Sequence, residues 1–212
     1  MKWTFVLSMY LTILISSKVG EINSCRMLNA INTNISFVGR NEWGARDPKL
    51  VEKFSGQIPF VIIHHSYRPA VSFDSAECGK AMRIMQDMHQ LTNDWNDIGY
   101  SFAICGDGKI YQGRGYNVIG AHAPRYNDKS IGICLIGDWR FELPPEQMLK
   151  ATKDLIAYSL ENGYLSPNYK VLGHRQVRAT ECPGQRLYEE IATWDHYSKT
   201  PSGPSDTNIP PY

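Results

Sequence analysis

The chain of 212 residues leaves about 160 residues for a folded domain once a leader and a polar tail are set aside, a size that buries one hydrophobic core. Its 22 Lys and Arg residues balance 21 Asp and Glu residues, and no basic run occurs. Because binding to a phosphate backbone requires a basic patch, we expect no nucleic-acid partner.

Residues 1–20 have the pattern of a secretory signal peptide. Lys2 precedes an apolar stretch over residues 3–15, and small residues follow it. The stretch is shorter than the about 20 apolar residues that a membrane-spanning helix needs. We therefore expect a secreted, extracellular protein with no stable membrane insertion, and an uncleaved anchor is the alternative. Residues 21–34 form an N-terminal segment before the domain.

The number of cysteines is odd for a secreted chain. At least one of them must therefore do something other than pair within the chain. Cys182 is the one that we exclude from pairing. The five are Cys25, Cys78, Cys105, Cys134 and Cys182.

Strand and helix patterns alternate from residue 60 onward. The apolar, β-branched run at 60–65 predicts a buried strand that ends in His64 and His65. A capping pattern at Asp74, followed by apolar residues at helical spacing, predicts a helix over 74–93. A hairpin is expected over 101–112, with its turn at 106–108.

The second half of the chain continues this alternation. A strand is predicted at 131–136, a helix from 146 to 161 between a Pro-Pro pair and Asn-Gly, and a short strand at 169–172. A last helix after 184 would bury Leu187, Ile191 and Trp194. The expected fold class is α/β, with one domain over 35–197 whose central mixed β-sheet is flanked by about three helices. Residues 198–212 are rich in Pro, Ser and Thr and predict a disordered tail.

His64, His174 and Cys182 form a candidate zinc site. The spacing of a closed zinc finger is absent, because His64 ends a strand more than a hundred residues before the other two. Two neutral imidazoles and one thiolate would leave a fourth position on Zn²⁺ open to water, as in catalytic sites. Each residue alone has an ordinary alternative, a hydrogen-bonded core histidine or half of a disulfide, and spacing does not decide between them.

Eight short motifs occur in order: WGAR at 43–46, VIIHHS at 61–66, WNDIGY at 95–100, GDG at 106–108, GRG at 113–115, GAH at 120–122, GHRQV at 173–177 and CPG at 182–184. In number and order these motifs resemble those of the peptidoglycan recognition protein (PGRP) family, which is similar to bacteriophage type 2 amidases. The resemblance covers residues 35–197.

The resemblance implies a zinc-dependent N-acetylmuramoyl-L-alanine amidase, with His64, His174 and Cys182 as the metal ligands. It also implies that Tyr100 is catalytic and donates a hydrogen bond to the developing oxyanion. The alternative for Tyr100 is a half-buried strand aromatic. Thr180 lies where phage relatives have lysine, and we expect it to be an auxiliary catalytic residue.

The implied partner is bacterial peptidoglycan or its muropeptides, of the diaminopimelate type, bound by a monomer that dampens innate immune signalling. The alternative function is a non-catalytic peptidoglycan receptor or scavenger. Packing is the ordinary alternative for Trp95, and a surface salt bridge is that for Arg114. The residues that the resemblance assigns to substrate binding are His65, His89, Trp95, Arg114, His122, Trp139 and Arg140.

One position departs from the family pattern. PGRPs usually have a cysteine six positions before the one at Cys78, and this chain has Ser72 there. The short disulfide of the family therefore cannot form, and Cys78 is either free or paired elsewhere. Cys105 and Cys134 lie on two apolar strands, as small buried side chains or as a bonded pair.

Overall fold

The computed structural model describes residues 35–201. The predictions of a signal peptide at 1–20 and an N-terminal segment at 21–34 lie outside the described residues, as does the predicted tail beyond residue 201. In chain order the elements are β1 (Phe37–Val38), α1 (Arg40–Trp43), β2 (Ile58–His65), α2 (Ser75–Asp87) with a π-helical turn after it (Met88–Thr92), β3 (Phe102–Ile104), β4 (Ile110–Gln112), β5 (Ser130–Leu135), α3 (Glu146–Glu161), β6 (Leu165–Gly173), a 3-10 turn (His174–Gln176) and α4 (Gln185–Ile191).

The six strands form one mixed sheet in the order β1-β4-β3-β5-β2-β6. Only the β3–β4 hairpin is antiparallel, and the other neighbours are parallel. The predicted α/β fold class with a single mixed sheet is confirmed. The short helix α1 raises the number of α-helices in the described part of the chain to four, against the three or so expected.

Most element boundaries follow the local signals in the sequence. Helix α2 begins after Asp74, whose carboxylate accepts hydrogen bonds from the backbone N–H groups of Ala76 and Glu77. Strand β6 begins at Leu165, four residues before the predicted start. The prediction missed these residues because Ser, Pro and Asn at 166–168 interrupt the apolar pattern of this edge strand. Trp194 is buried as expected but lies beyond the end of α4.

The core lies on both faces of the sheet. Helices α3 and α4 cover one face, where Leu155 and Leu187 pack with Val61 from β2. Helix α2 covers part of the other face through Met82 and Met85. Strands β2, β5 and β6 are parallel neighbours, so their C-terminal ends lie side by side at one end of the sheet.

The cysteine pairing is resolved by the packing of α2 on the hairpin. Cys78, in the first turn of α2, is bonded to Cys105 with an S–S distance of 2.05 Å, whereas Cys134 and Cys182 are free among the cysteines of residues 35–201. Cys78 therefore does pair elsewhere than at position 72. The alternative of a Cys105–Cys134 bond is wrong, because the Cys105 sulfur is already bonded to Cys78 at the end of β3.

The last described residues contact the domain. Ser198 donates its backbone N–H to the carbonyl oxygen of Val171, at 3.1 Å. The side chain of Gln176 donates to the carbonyl oxygens of Ser198 and Lys199. Between residues 35 and 201, none of the helices combines the length and the apolar character needed to cross a bilayer.

Candidate metal centre

His64 and His174 are brought together by the pairing of two strands. His64 is the penultimate residue of β2, and His174 follows β6 directly. These strands are parallel neighbours with Ile63 opposite Gly173, so both histidines leave the sheet at the same edge. Their ring centroids are 4.3 Å apart.

Cys182 reaches the same point from the loop that precedes α4. The Arg175 N–H donates to the Cys182 carbonyl oxygen at 2.8 Å, which folds this loop back over the histidines. The Cys182 sulfur accepts a hydrogen bond from the His65 backbone N–H at 3.4 Å and lies 3.7 Å from Nδ1 of His64. The candidate ligand atoms of His64, His174 and Cys182 all lie within 4.8 Å of one another.

The electrostatics of these three groups favour a bound cation. Burial, reinforced by His174, holds the pKa of His64 well below its usual value, and burial followed by Arg178 lowers the pKa of His174 to about 4. Both imidazoles are therefore neutral near pH 7 and can act as ligands. Burial raises the pKa of the Cys182 thiol to about 12, so its thiolate form needs a positive partner in this site.

One buried nitrogen of these three residues has no partner among the described residues. Nε2 of His174 is buried and has no hydrogen-bond partner among the described residues. Buried polar atoms are nearly always paired, so an unpaired one calls for a ligand. Two imidazoles and one thiolate match the N and S ligands that zinc prefers in a tetrahedral site. The residues present therefore fit a metal ion of this class.

Tyr100 lies beside the metal-ligand group. Its ring centroid is 5.3 Å from that of His64 and 5.7 Å from that of His89. Burial, followed by the nearby Cys134 and Cys182, raises the pKa of Tyr100 well above its usual value. The phenol therefore keeps its proton at neutral pH and acts as a hydrogen-bond donor, with the Cys134 side chain as its partner in this structure.

Thr180 contacts the cysteine through the backbone. Its hydroxyl oxygen accepts a hydrogen bond from the Cys182 N–H at 3.2 Å. The Thr180 side chain is exposed and lines a surface cavity of about 380 Å³ with Arg140, Phe141 and Arg175. Thr180 thus stands at the rim of the centre and helps to set the loop that carries Cys182.

His65 and Arg140 lie on the same side of the centre. Nδ1 of His65 accepts from the Trp139 N–H at 3.4 Å and is 3.9 Å from a carboxylate oxygen of Asp138. Arg140 donates to both carboxylate oxygens of Asp138, and its guanidinium lies 4.8 Å from the ring centroid of Tyr67. Arg140 and Tyr67 thus form a polar and aromatic surface, whereas the His65 side chain is buried.

His89 and Trp95 support the segment that leads to Tyr100. Their rings stack with centroids 4.7 Å apart. Nδ1 of His89 accepts a hydrogen bond from the Gly99 N–H at 3.0 Å, one residue before Tyr100. Burial, followed by Arg114, lowers the pKa of His89 to about 4. His89 and Trp95 therefore support the backbone that positions Tyr100. Their role in substrate binding stays a prediction.

Two other predicted substrate residues, Arg114 and Trp139, use their polar groups inside the domain. Arg114 donates to the carbonyl oxygens of Ile98 and Ile119, each at 2.7 Å. Trp139 is 4% exposed and donates its indole N–H to the Leu135 carbonyl oxygen. Contacts within the domain therefore use these groups of Arg114 and Trp139, and the role of both residues in substrate binding stays a prediction.

His122 is placed behind the metal-ligand group rather than in an open groove. It is 6% exposed, and its Nδ1 lies 3.0 Å from Nε2 of His64. Burial, followed by His174 and Arg114, lowers the pKa of His122 to about 3, while a backbone hydrogen bond at Ser130 acts in the opposite sense. The GAH motif marked this histidine in the sequence, but its contact with His64 depends on a side-chain direction that the motif does not contain.

Comparison with known proteins identifies the family of the chain. Residues 54–185 match the family model described as N-acetylmuramoyl-L-alanine amidase. The chain is 62% identical over 176 residues to peptidoglycan-recognition protein LB of Drosophila melanogaster, covering 82% of this chain and 76% of that protein. It is 39% identical over 167 residues to the N-acetylmuramoyl-L-alanine amidase of Homo sapiens, covering 76% of this chain and 28% of that longer protein.

Solved structures give the same result. Wild-type Drosophila PGRP-LB superposes with a TM-score of 0.77 at 64% identity, covering 78% of this chain and 97% of that one. PGRP-LE in complex with tracheal cytotoxin, a monomeric diaminopimelic acid-type peptidoglycan, superposes with a TM-score of 0.73 at 39% identity, covering 77% of this chain and 96% of that one. A mutant of Drosophila PGRP-LB has also been solved in complex with tracheal cytotoxin.

Proposed function

This chain belongs to the peptidoglycan recognition protein family, and we propose that it is a secreted, zinc-dependent N-acetylmuramoyl-L-alanine amidase. It would hydrolyse the amide bond between the lactyl group of the peptidoglycan sugar and the stem peptide. One observation carries this proposal: the ligand atoms of His64, His174 and Cys182 lie within 4.8 Å of one another beside Tyr100.

His64, His174 and Cys182 would hold the metal. Bound Zn²⁺ supplies Lewis-acid chemistry, since it polarises a carbonyl group and lowers the pKa of water. The two imidazoles are neutral at the pH of extracellular fluid, so they bind the ion without first losing a proton. The His65 backbone N–H donates to the Cys182 sulfur and so favours its thiolate form.

Tyr100 would act on the oxygen of the scissile carbonyl group. Its raised pKa keeps the phenol protonated, so it can donate a hydrogen bond as negative charge develops on that oxygen. A donor held beside the reacting carbonyl stabilises the transition state more than the ground state, which is the condition for faster turnover. Thr180 would assist by keeping the Cys182 loop in place through its hydrogen bond to the Cys182 N–H.

The proposed substrate is diaminopimelate-type peptidoglycan or its muropeptides. The 62% identity to PGRP-LB and the likeness to solved complexes with tracheal cytotoxin support this choice. Arg140 is a proposed contact, because it lines an accessible cavity with Thr180 and Glu181, and His65 is a second one, because its backbone N–H contacts Cys182, although its own side chain is 7% exposed. Arg140 is already paired with Asp138, so the substrate would contact this ion pair and not an isolated guanidinium group.

The proposed biological role is to dampen innate immune signalling by destroying the bacterial molecule that elicits it. This role requires the protein to act outside the cell, which is why secretion through the leader at 1–20 is part of the proposal. Expression of the full chain in insect cells would test it. A processed protein in the medium is the expected result, and retention in the membrane fraction would favour an uncleaved anchor.

Mass spectrometry of purified diaminopimelate-type muropeptide tests the activity directly. Zinc-loaded wild type and Cys182→Ala are incubated side by side, and the metal content and folding of both are measured. Release of free stem peptide by wild type alone, with zinc lost from the variant, is the expected outcome. A parallel assay with lysine-type muropeptide tests the substrate preference.

Intact substrate in the presence of folded, zinc-loaded wild type would contradict the amidase proposal for this ligand. If the same muropeptide then raised the melting temperature of the protein, the receptor or scavenger function would explain the result, because a ligand that binds only the native state stabilises it.

A further inference from the structure

A line of hydrogen bonds leads from His64 away from the metal-ligand group. Nε2 of His64 lies 3.0 Å from Nδ1 of His122, and Nε2 of His122 lies 3.3 Å from the hydroxyl oxygen of Ser130. The Ser130 hydroxyl in turn donates to the backbone carbonyl oxygen of Tyr126 at 2.6 Å. All the side chains in this line are buried, so none of them is well placed to touch a substrate.

The last contact determines the direction of the others. A carbonyl oxygen only accepts hydrogen bonds, so the Ser130 hydroxyl must donate its single proton to Tyr126. The Ser130 oxygen can then only accept from His122, which requires a proton on Nε2 of His122. A neutral imidazole carries one proton, so Nδ1 of His122 is bare and accepts from Nε2–H of His64.

The consequence for His64 is specific to one nitrogen. With its proton on Nε2, His64 has a bare Nδ1, and this is the atom that lies 3.7 Å from the Cys182 sulfur. The opposite proton arrangement would place a hydrogen on Nδ1, directed at the position of the metal. We propose that His122 is a positioning residue that fixes the Nε2–H form of His64, so that Nδ1 of His64 is ready to bind the metal ion.

The surroundings of His122 are shaped to hold this imidazole. A Cβ atom built on Gly120 or on Gly132 would lie 2.5 Å from Cδ2 of His122, closer than real contacts allow. Gly132 lies in the middle of strand β5, where glycine is otherwise unfavourable and often marks a close approach. The backbone N–H of His122 also donates to Oδ1 of Asn127 at 2.8 Å. Ring and backbone are thus both fixed.

The role of His122 in metal binding rests on the proposed function, whereas the positions of the protons on His64 and His122 can be measured without zinc or substrate. Protein labelled with ¹⁵N-histidine, stripped of metal, is examined by NMR at pH 7, where the ring nitrogens report the protonated position. We expect His64 and His122 both to carry the proton on Nε2. A proton on Nδ1 of either residue would overturn the inference.

Zinc affinity gives a second, independent test. The variants are made at His122, because the His122 ring also hydrogen-bonds the backbone of Ser130 and a change at Ser130 would leave that contact in place. His122→Ala removes the acceptor for His64, and outer partners of this kind are worth about 10–100-fold in metal affinity. In His122→Asn the side-chain oxygen occupies nearly the place of Nδ1, so affinity should stay within about threefold of wild type.

Chelator competition measures the affinity, and the free energy of unfolding is recorded for each metal-free variant. His196→Ala is the control, because it removes an imidazole that stacks on Tyr169 outside the centre. A purely structural role would make Ala and Asn lose affinity in proportion to lost stability, and equal losses in both would contradict the proposal. If wild type binds zinc but cuts no muropeptide, the proposed amidase fails while this inference stands. If wild type cuts muropeptide and His122→Ala binds zinc normally, this inference alone fails.

Discussion

Cys78 and Cys105 are joined by a disulfide that links the first turn of α2 to the end of β3, with their Cα atoms 6.0 Å apart. The bond closes a loop with a sequence separation of 27, which includes the π-helical turn and Tyr100. It therefore ties the segment that carries Tyr100, the proposed catalytic tyrosine, to α2.

Removing this disulfide should destabilise the protein without affecting the metal ligands. For a loop of this length, the chain-entropy model gives about 3.5 kcal/mol. The double variant Cys78→Ala/Cys105→Ala should lose about that much free energy of unfolding in a denaturant titration of the metal-free protein. A thiol reductant should destabilise wild type to a similar extent and leave the double variant unchanged. An equal effect of the reductant on both would contradict the assigned pairing.

The two free cysteines should differ in their effect on metal binding. Cys182→Ser should lose stoichiometric zinc and all amidase activity, because a hydroxyl is a far poorer ligand for Zn²⁺ than a thiolate. Cys134→Ser is the matched control, since Cys134 is also a buried free thiol but lies outside the ligand group. Metal content of the purified proteins provides the measurement. Zinc loss in both variants would argue against Cys182 as a specific ligand.

Tyr100→Phe should separate catalysis from metal binding. The phenol is proposed to donate to the developing oxyanion, and loss of one such donor costs about 10²–10³-fold in kcat. Zinc content and KM should stay close to wild type, because the ring and its contact with His64 remain. Steady-state kinetics on muropeptide checks this expectation. A variant with normal kcat would show that the hydroxyl takes no part in the reaction.

The metal-free protein should lose stability on acidification through its buried histidines. Burial lowers the pKa of His89 to about 4, below its value of about 6.5 in the unfolded chain. Between these values the unfolded state binds more protons, so the free energy of unfolding falls as the pH falls from 6.5 toward 4, by about 1.4 kcal/mol per pH unit for each such histidine. Above pH 6.5 this contribution does not change.

Denaturant titrations at pH 7, 6 and 5 in the presence of a chelator measure this slope. His89→Asn should reduce the slope by the share of one histidine, because asparagine does not titrate and its side-chain oxygen can still accept from the Gly99 N–H. His196→Asn is the control, since His196 is exposed. An unchanged slope in His89→Asn would show that His89 is not the buried neutral group that its contacts indicate.

Much of the fold could be predicted from local signals. The cap at Asp74, the turn at 106–108 and the apolar run at 60–65 each act within a few residues, and the structure has an element at each. The start of β6 was misplaced because an edge strand tolerates polar residues that interrupt the apolar pattern. The short helix α1 was missed because four residues are too few for a helical period to show.

By itself the sequence determined the fold class, the chemical types of the candidate metal ligands and their order along the chain. These depend on residue identity and on local periodicity. Tertiary structure alone decided that Cys78 bonds Cys105, that Arg114 and Trp139 use their donors on backbone carbonyls, and that His122 contacts His64. Each of these depends on the direction of a side chain between segments far apart in the chain, which is set by the packing of the whole core and leaves no local pattern in the sequence.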